Sequence, residues 1–253
     1  MRRLKSFIPN ILVLAISMMV VLFANLPLAQ AKNFRNAYVS FDLPSNWQCH
    51  LEDTEWICRS QNKKASREAI IILTAKEVGA TDSLDAYSRF LAQTKAVSGA
   101  NGQPINSQVK HVKQNKVSNH VWIDGLHLSS EVANYYTRYL ATTKGRIAVL
   151  VTFSAHQRFY ANYAHQFFKA IQSLRVVATD ALFSQPNLAP LGGANEQLGQ
   201  GLVNAFPSDM LTDEDFDDEY YYEEEDGEDN TTLYGIIILI LALGGYLFVK
   251  SRS

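Results

Sequence analysis

Six histidines and two cysteines are the residues most able to do chemistry in this chain of 253 residues. The histidines are His50, His111, His120, His127, His156 and His165. A helical metal site needs two histidines four apart, and no pair has that spacing. His120 and His127 are seven apart, which sets them on opposite faces of a continuous strand. His156 and His165 differ by nine, half a turn out of phase on a helix. The spacing therefore assigns no metal and no cofactor.

Nucleophile patterns are equally sparse. There is no Gly-x-Ser-x-Gly and no Gly-x-x-x-x-Gly-Lys. Ser60 and Lys63, like Ser107 and Lys110, have Ser-x-x-Lys spacing, but both pairs fall in expected loops without companion motifs. Ser129-Ser130-Glu131 puts an acid beside two serines, and spacing places no base there. No catalytic residue is assigned. The alternative to a binding function is an envelope hydrolase whose site assembles only in three dimensions.

Cys49 and Cys58 sit in two alternating segments, Trp47–Leu51 and Trp56–Ser60, around the polar turn Glu52-Asp53-Thr54-Glu55. A hairpin with that loop sets Leu51 opposite Trp56. Two residues back on each strand, Cys49 meets Cys58 at disulfide distance. Eight intervening residues do not fit a redox-active Cys-x-x-Cys. An exported domain meets oxidising conditions, so the pair is expected to be a structural disulfide.

The flanking elements read as strands and helices in alternation. Strands are expected at Tyr38–Leu43, in the cysteine hairpin, and at Ala69–Leu73. A helix capped by Thr81 or Asp82 is expected to run to about Val97. Gly99 to Gly102 interrupts the chain. Strands follow near Val109–Val117, His120–Leu128 and Tyr135–Thr142, and from Ile147 to Phe153. A final helix over roughly 156–174 places Tyr160, Tyr163, Phe167, Ile171 and Leu174 on one face. This is an α+β domain: a mostly antiparallel sheet covered by two amphipathic helices.

The run Tyr38-Val39-Ser40-Phe41-Asp42-Leu43-Pro44-Ser45-Asn46-Trp47, a strand leading into Leu-Pro and then Trp, resembles the start of PsbP-like and DcrB-like domains. The order of elements is similar too, over about residues 36–176. The resemblance implies that α+β fold and a binding or accessory role. The cysteine hairpin is not part of the motif.

Charge divides the chain. Residues 32–175 carry 18 basic and 10 acidic side chains, a net of +8. From Val176 to Val249 there are 15 acids and no Lys or Arg. Arg59, Lys63, Lys64 and Arg67 cluster after the hairpin and form a candidate patch for an anionic partner. Residues 179–208, with three prolines and four glycines, read as a flexible linker. Residues 209–232 read as a disordered acidic stalk, with 13 acids by position 229. That segment could also serve as a tethered ligand of the basic domain.

Both ends are apolar. Arg2, Arg3 and Lys5, the run Ile11–Ala24 and Ala29-Gln30-Ala31 match a signal peptide over 1–31. Residues 233–249 are an apolar run of 17, preceded by acids and followed by Lys250 and Arg252. These flanks predict one transmembrane helix with the tail 250–253 in the cytoplasm. The expected protein is a single-pass protein of the cell (inner) membrane, its domain at 32–178 on the periplasmic or extracellular side. The function this supports is a non-catalytic binding or accessory module of the envelope. Its expected partners are the membrane and a protein or anionic envelope component, and export excludes nucleic acid.

Overall fold

The structure, a computed structural model, describes residues 32–99, 102–178, 194–199 and 201–211. The expected signal peptide, transmembrane helix, cytoplasmic tail and most of the acidic stalk lie outside these residues. Among the described residues no helix is long and apolar enough to cross a membrane.

The strands are β1 (Lys32–Arg35), β2 (Val39–Leu43), β3 (Trp47–Glu52), β4 (Glu55–Ser60), β5 (Ala69–Glu77), β6 (Ala96–Ser98), β7 (Pro104–Asn106), β8 (Gln108–Val117), β9 (His120–Leu128), β10 (Tyr135–Lys144), β11 (Ile147–His156) and β12 (Arg175–Val176). The helices are α1 (Ala65–Glu68), α2 (Leu84–Leu91), α3 (Tyr160–Ser173) and α4 (Ser208–Leu211), with a 3-10 turn at Leu202–Ala205. Seven strands form one sheet in the order β3-β4-β5-β11-β10-β9-β8, every neighbouring pair antiparallel. A smaller sheet orders β1-β2-β12, and β6 pairs with β7. The expected α+β architecture is present, dominated by its antiparallel sheet.

The strands form where side chains alternate or are continuously apolar. β11 is buried at all ten positions, so both faces of the central sheet must be covered. On one face α3 lays Tyr163, Phe167, Ala170 and Ile171 against the sheet. Trp47 packs edge-on to Tyr163 and Phe167, and Phe153 packs against Phe167. β2 lies beside α3, and its Asp42 backbone N–H donates to Ser173 Oγ at 2.8 Å. α3 begins at Tyr160 because Gln157 and Arg158 form a turn after β11, which absorbs His156.

The other face is covered by α2 and, beside it, by residues 194–199 and 201–211. Leu198, Leu202, Ala205, Phe206 and Met210 are buried in one cluster with Tyr87, Leu91, Tyr139 and Leu150. Composition predicts a flexible linker here, and the described part of that segment is instead packed. Glycines on both sides of this contact allow close approach. A Cβ on Gly79 would lie 2.0 Å from the Ala194 carbonyl oxygen, and one on Gly199 would lie 2.8 Å from Leu150. Gly199 also adopts φ +79°, which L side chains rarely do. The first compact unit of the chain accordingly runs to Leu211, past the expected domain end at 178.

α2 is shorter than its periodicity predicts. Ser83, not Thr81 or Asp82, caps it, accepting from the Ala86 N–H at 3.1 Å. Asp82 has another task. Its carboxylate accepts from the Gly79 N–H at 2.7 Å and the Tyr87 hydroxyl at 2.8 Å, and it pairs with Lys76. The helix stops at Leu91, and Ala96–Ser98 turns into the β6–β7 hairpin instead of extending it.

Leu202→Ala is expected to lower the unfolding free energy by about 2–4 kcal/mol in urea denaturation, because it leaves a cavity under a buried side chain. The exposed neighbour Val203→Ala is expected to change it by less than about 0.5 kcal/mol. Equal, small effects would mean that this segment does not pack.

Candidate functional site

The cysteine hairpin forms in the expected register. Leu51 pairs with Trp56 and Cys49 with Cys58, and the disulfide joins two Cα atoms 3.9 Å apart. It ties the edge strand β3 to β4, and the basic patch follows directly from the end of β4.

Arg59 is the penultimate residue of β4, in register with Ile70 of β5. The chain then turns through Asn62, whose side-chain oxygen accepts from the N–H groups of Lys64 and Ala65 at 2.9 and 3.1 Å. This Asx turn starts α1 and leaves Lys63 and Lys64 exposed. Arg67 is half-buried on α1, and its carbonyl accepts from the Tyr135 hydroxyl at 2.7 Å. Glu68 is buried and accepts from the Tyr163 hydroxyl at 2.8 Å. Two tyrosines from different layers therefore pin α1 from beneath and hold the lysines outward. The structure keeps Arg59, Lys63 and Lys64 at the surface and turns Arg67 partly inward.

A carboxylate among the described residues meets this patch. Asp209 of α4 lies 3.8 Å from the Arg59 guanidinium, with the two side chains 46% and 32% exposed. α4 also packs against α1. A pair this exposed is worth well under about 1 kcal/mol, so it orients more than it stabilises. Asp209 is the first acid of the block read as a tethered ligand. The remainder of that block, 212–232, lies outside the described residues.

A second cluster lies under the C-terminal end of α2. Tyr139 donates to Glu131 at 2.5 Å and shares a 2.6 Å hydrogen bond with Ser130. Lys95 pairs with Glu131 at 2.5 Å and lies 5.3 and 5.2 Å from the ring centres of Phe90 and Tyr139. Burial first, and then the Glu131 charge, pushes the Tyr139 hydroxyl well above its ordinary value. Tyr139 therefore keeps its proton, and Lys95 neutralises the acid beside Ser130. The adjoining cavity, lined by Tyr87, Leu91, Leu150 and Leu202 among others, has room for about one water. Sequence spacing missed this set because Lys95 lies 36 residues from Glu131.

The histidines are dispersed. His50 and His165 are exposed. His120 and His127 lie on opposite faces, as their spacing predicts: His120 contacts Thr142 at 2.9 Å, and His127 contacts the Leu91 carbonyl at 2.8 Å. His156 is buried against the rings of Tyr135 and Phe159. His111 lies 3.6 Å from Asp124, a fully buried carboxylate held bidentately by Arg138 at 2.9 and 2.7 Å. Burial opposes the Asp124 charge, but Arg138 and Asn115 outweigh it and hold the carboxyl below its usual range.

No protein-family model matches the chain, and comparison with curated proteins finds no match. Solved structures of PsbP-like folds are similar to it over a segment. The cyanobacterial PsbP of Synechocystis is 11% identical, covering 60% of this chain and 95% of its own, with a TM-score of 0.42. The Ran-binding protein Mog1p of Saccharomyces cerevisiae is 12% identical, covering 59% of this chain and 97% of its own, with a TM-score of 0.39. Both are likenesses of the fold alone.

His127 supplies a pH dependence. A carbonyl can only accept, so Nε2 carries the ring proton toward Leu91. Burial first, and Lys95 after it, lowers the His127 pKa, with the Leu91 carbonyl opposing. The unfolded chain, titrating near pH 6.5, therefore takes up the proton first. Stability is complete above about pH 6.5 and falls as the pH drops toward the lowered folded value. His120, lowered by burial and by Lys144, acts in the same direction. The urea midpoint is expected to fall from pH 7 to pH 5, and His127→Gln to flatten that slope.

Proposed function

We propose that this chain is a membrane-anchored, extracytoplasmic binding module whose basic patch receives the carboxylates of an acidic protein partner. One observation carries the reading. The Arg59 guanidinium faces a carboxylate, Asp209, across 3.8 Å, and Lys63 and Lys64 are exposed in the turn that follows β4. Arg59, Lys63 and Lys64 thus offer cationic groups to acids, and Asp209 meets the Arg59 end of the patch. Exposed pairs of this kind steer encounter and set specificity more than they add affinity. The partner is therefore bound weakly through charge and selected by the spacing of its acids.

The anchor and compartment rest on the signal-peptide pattern over 1–31 and the apolar run over 233–249. An exported position also suits the Cys49–Cys58 disulfide. The net of +8 over residues 32–175 favours anionic partners over long range at low salt.

A fluorescent poly-glutamate peptide titrated into the full chain in neutral micelles tests the reading. Binding is expected at low salt and is expected to weaken as salt rises. The triple variant R59E/K63E/K64E should weaken it by about tenfold or more, a loss of about 1.4 kcal/mol. The variant K110E/K113E/K116E, which changes charge equally on β8, should retain most of it. An equal loss from both variants would show net charge acting without a patch, and no loss from the first would remove the patch.

A further inference from the structure

We propose that the sheet face beside α2 is a recognition groove for an amphipathic, acid-bearing segment of a partner protein, and that residues 194–199 and 201–211 occupy it in cis. The proposal rests on the binding-module reading above. It names the second half of the partner's contact surface, the apolar half.

The occupant has the features of a docked ligand. Leu198, Leu202, Phe206 and Met210 recur at every fourth position and are buried to 5% exposure or less. Before them Asn195, Glu196 and Gln197 are exposed, and between them Val203, Asn204, Ser208 and Asp209 are exposed. Anchors at this spacing are how an amphipathic segment seats in a groove. The backbone hydrogen bonds of Leu202, Asn204, Phe206 and Met210 run to Gly199, Gly201, Val203 and Pro207, within the segment itself. The segment is therefore not a strand of the sheet.

Polar ties mark its two ends. Lys76 donates to the Ala194 carbonyl at 3.4 Å, and Asp209 faces Arg59 at 3.8 Å. Both are long, so apolar contact holds the segment in place. The groove itself is built by the sheet and α2: Tyr87, Leu91, Tyr139, Ala141 and Leu150 line it. A partner segment with the same four-residue repeat would restore the buried area that leaves with the cis segment. An acid one position before its last anchor would restore the Arg59 contact. Because the cis segment belongs to the same chain, the partner competes against an effective concentration of about millimolar. Exchange then requires the cis segment to open locally while the sheet stays folded.

Hydrogen exchange on the unaltered full chain in micelles tests that opening. The amides of Leu202, Asn204, Phe206 and Met210 are expected to exchange at least about 100-fold faster than those of Ile72 and Val151. Exchange of both sets at one common rate would make 194–211 a permanent part of the core and overturn the proposal. A synthetic, labelled peptide of residues 194–211 then probes the groove. It is expected to bind the L202D/F206D chain about tenfold or more tighter than the unaltered chain, and a peptide carrying the same two changes should bind neither. Failure of the peptide to bind the L202D/F206D chain, with Ile72 and Val151 still protected in it, would also overturn the proposal. Neither outcome depends on the poly-glutamate titration, so the patch and the groove stand or fall separately.

Discussion

A strand buried at all ten of its positions governs this structure. β11 lies fourth among seven strands, and each of its side chains needs cover from one layer or the other. Seven strands at about 4.8 Å spacing span roughly 29 Å. On one side α3, with fourteen residues, extends roughly 21 Å, and β1, β2 and β12 add a small sheet beside it. On the other side α2 has eight residues and extends roughly 12 Å. It leaves apolar surface from β5 and β11 that water would otherwise meet. Leu198, Leu202, Ala205, Phe206 and Met210 take that place. The packing of a segment rich in glycine and poor in regular structure thus follows from the shortness of one helix.

That helix is itself too short to be stable from propensity, and buried polar groups hold both of its ends. At the start, the buried Asp82 carboxylate collects Lys76, the Gly79 N–H and the Tyr87 hydroxyl. At the end, His127 donates to the Leu91 carbonyl, one of the groups that a helix terminus leaves unpaired. Lys76 and Asp82 are almost wholly buried, so each needs the other to offset its lost hydration. Lys76 also donates to the carbonyls of Glu77 and Ala194. One buried ammonium thereby links the entry of α2 to the first described residue of the segment that lies beside it.

Periodicity carried much of this fold and composition obscured the rest. The hairpin register, the disulfide and strands β8 to β11 are legible because alternation on a pleated strand fixes which residues face each other. The split of His120 and His127 across the sheet follows from the same rule. The end of α2 is less legible, since Thr94 and Val97 continue a helical period that the β6–β7 hairpin interrupts. The segment 194–211 was hidden by its glycines, which read as freedom of the chain. In the structure Gly199 supports close approach to Leu150. The better signal was the four-residue recurrence of Leu198, Leu202, Phe206 and Met210, which spans too little regular helix to stand out. The cluster of Lys95, Glu131 and Tyr139 had no local signal, because three separate elements supply it.

The same segment marks where the chain changes sign. Leu198, Leu202 and Phe206 are bound by apolar contact, and Asp209, the first acid of the block, follows within one turn. A residue that turns toward solvent immediately after a buried anchor has little freedom in where it points. Met210 is 1% exposed and Asp209 stands next to it, so the position of Asp209 is set by packing before any charge acts. Its pair with Arg59 is weak because both groups are wet, yet the buried Met210 beside it limits where Asp209 points. Direction without strength is what a reversible contact needs. The hydrophobic anchor supplies register, the exposed ion pair supplies the chemical preference, and neither alone would distinguish an acidic amphipathic segment from any other chain.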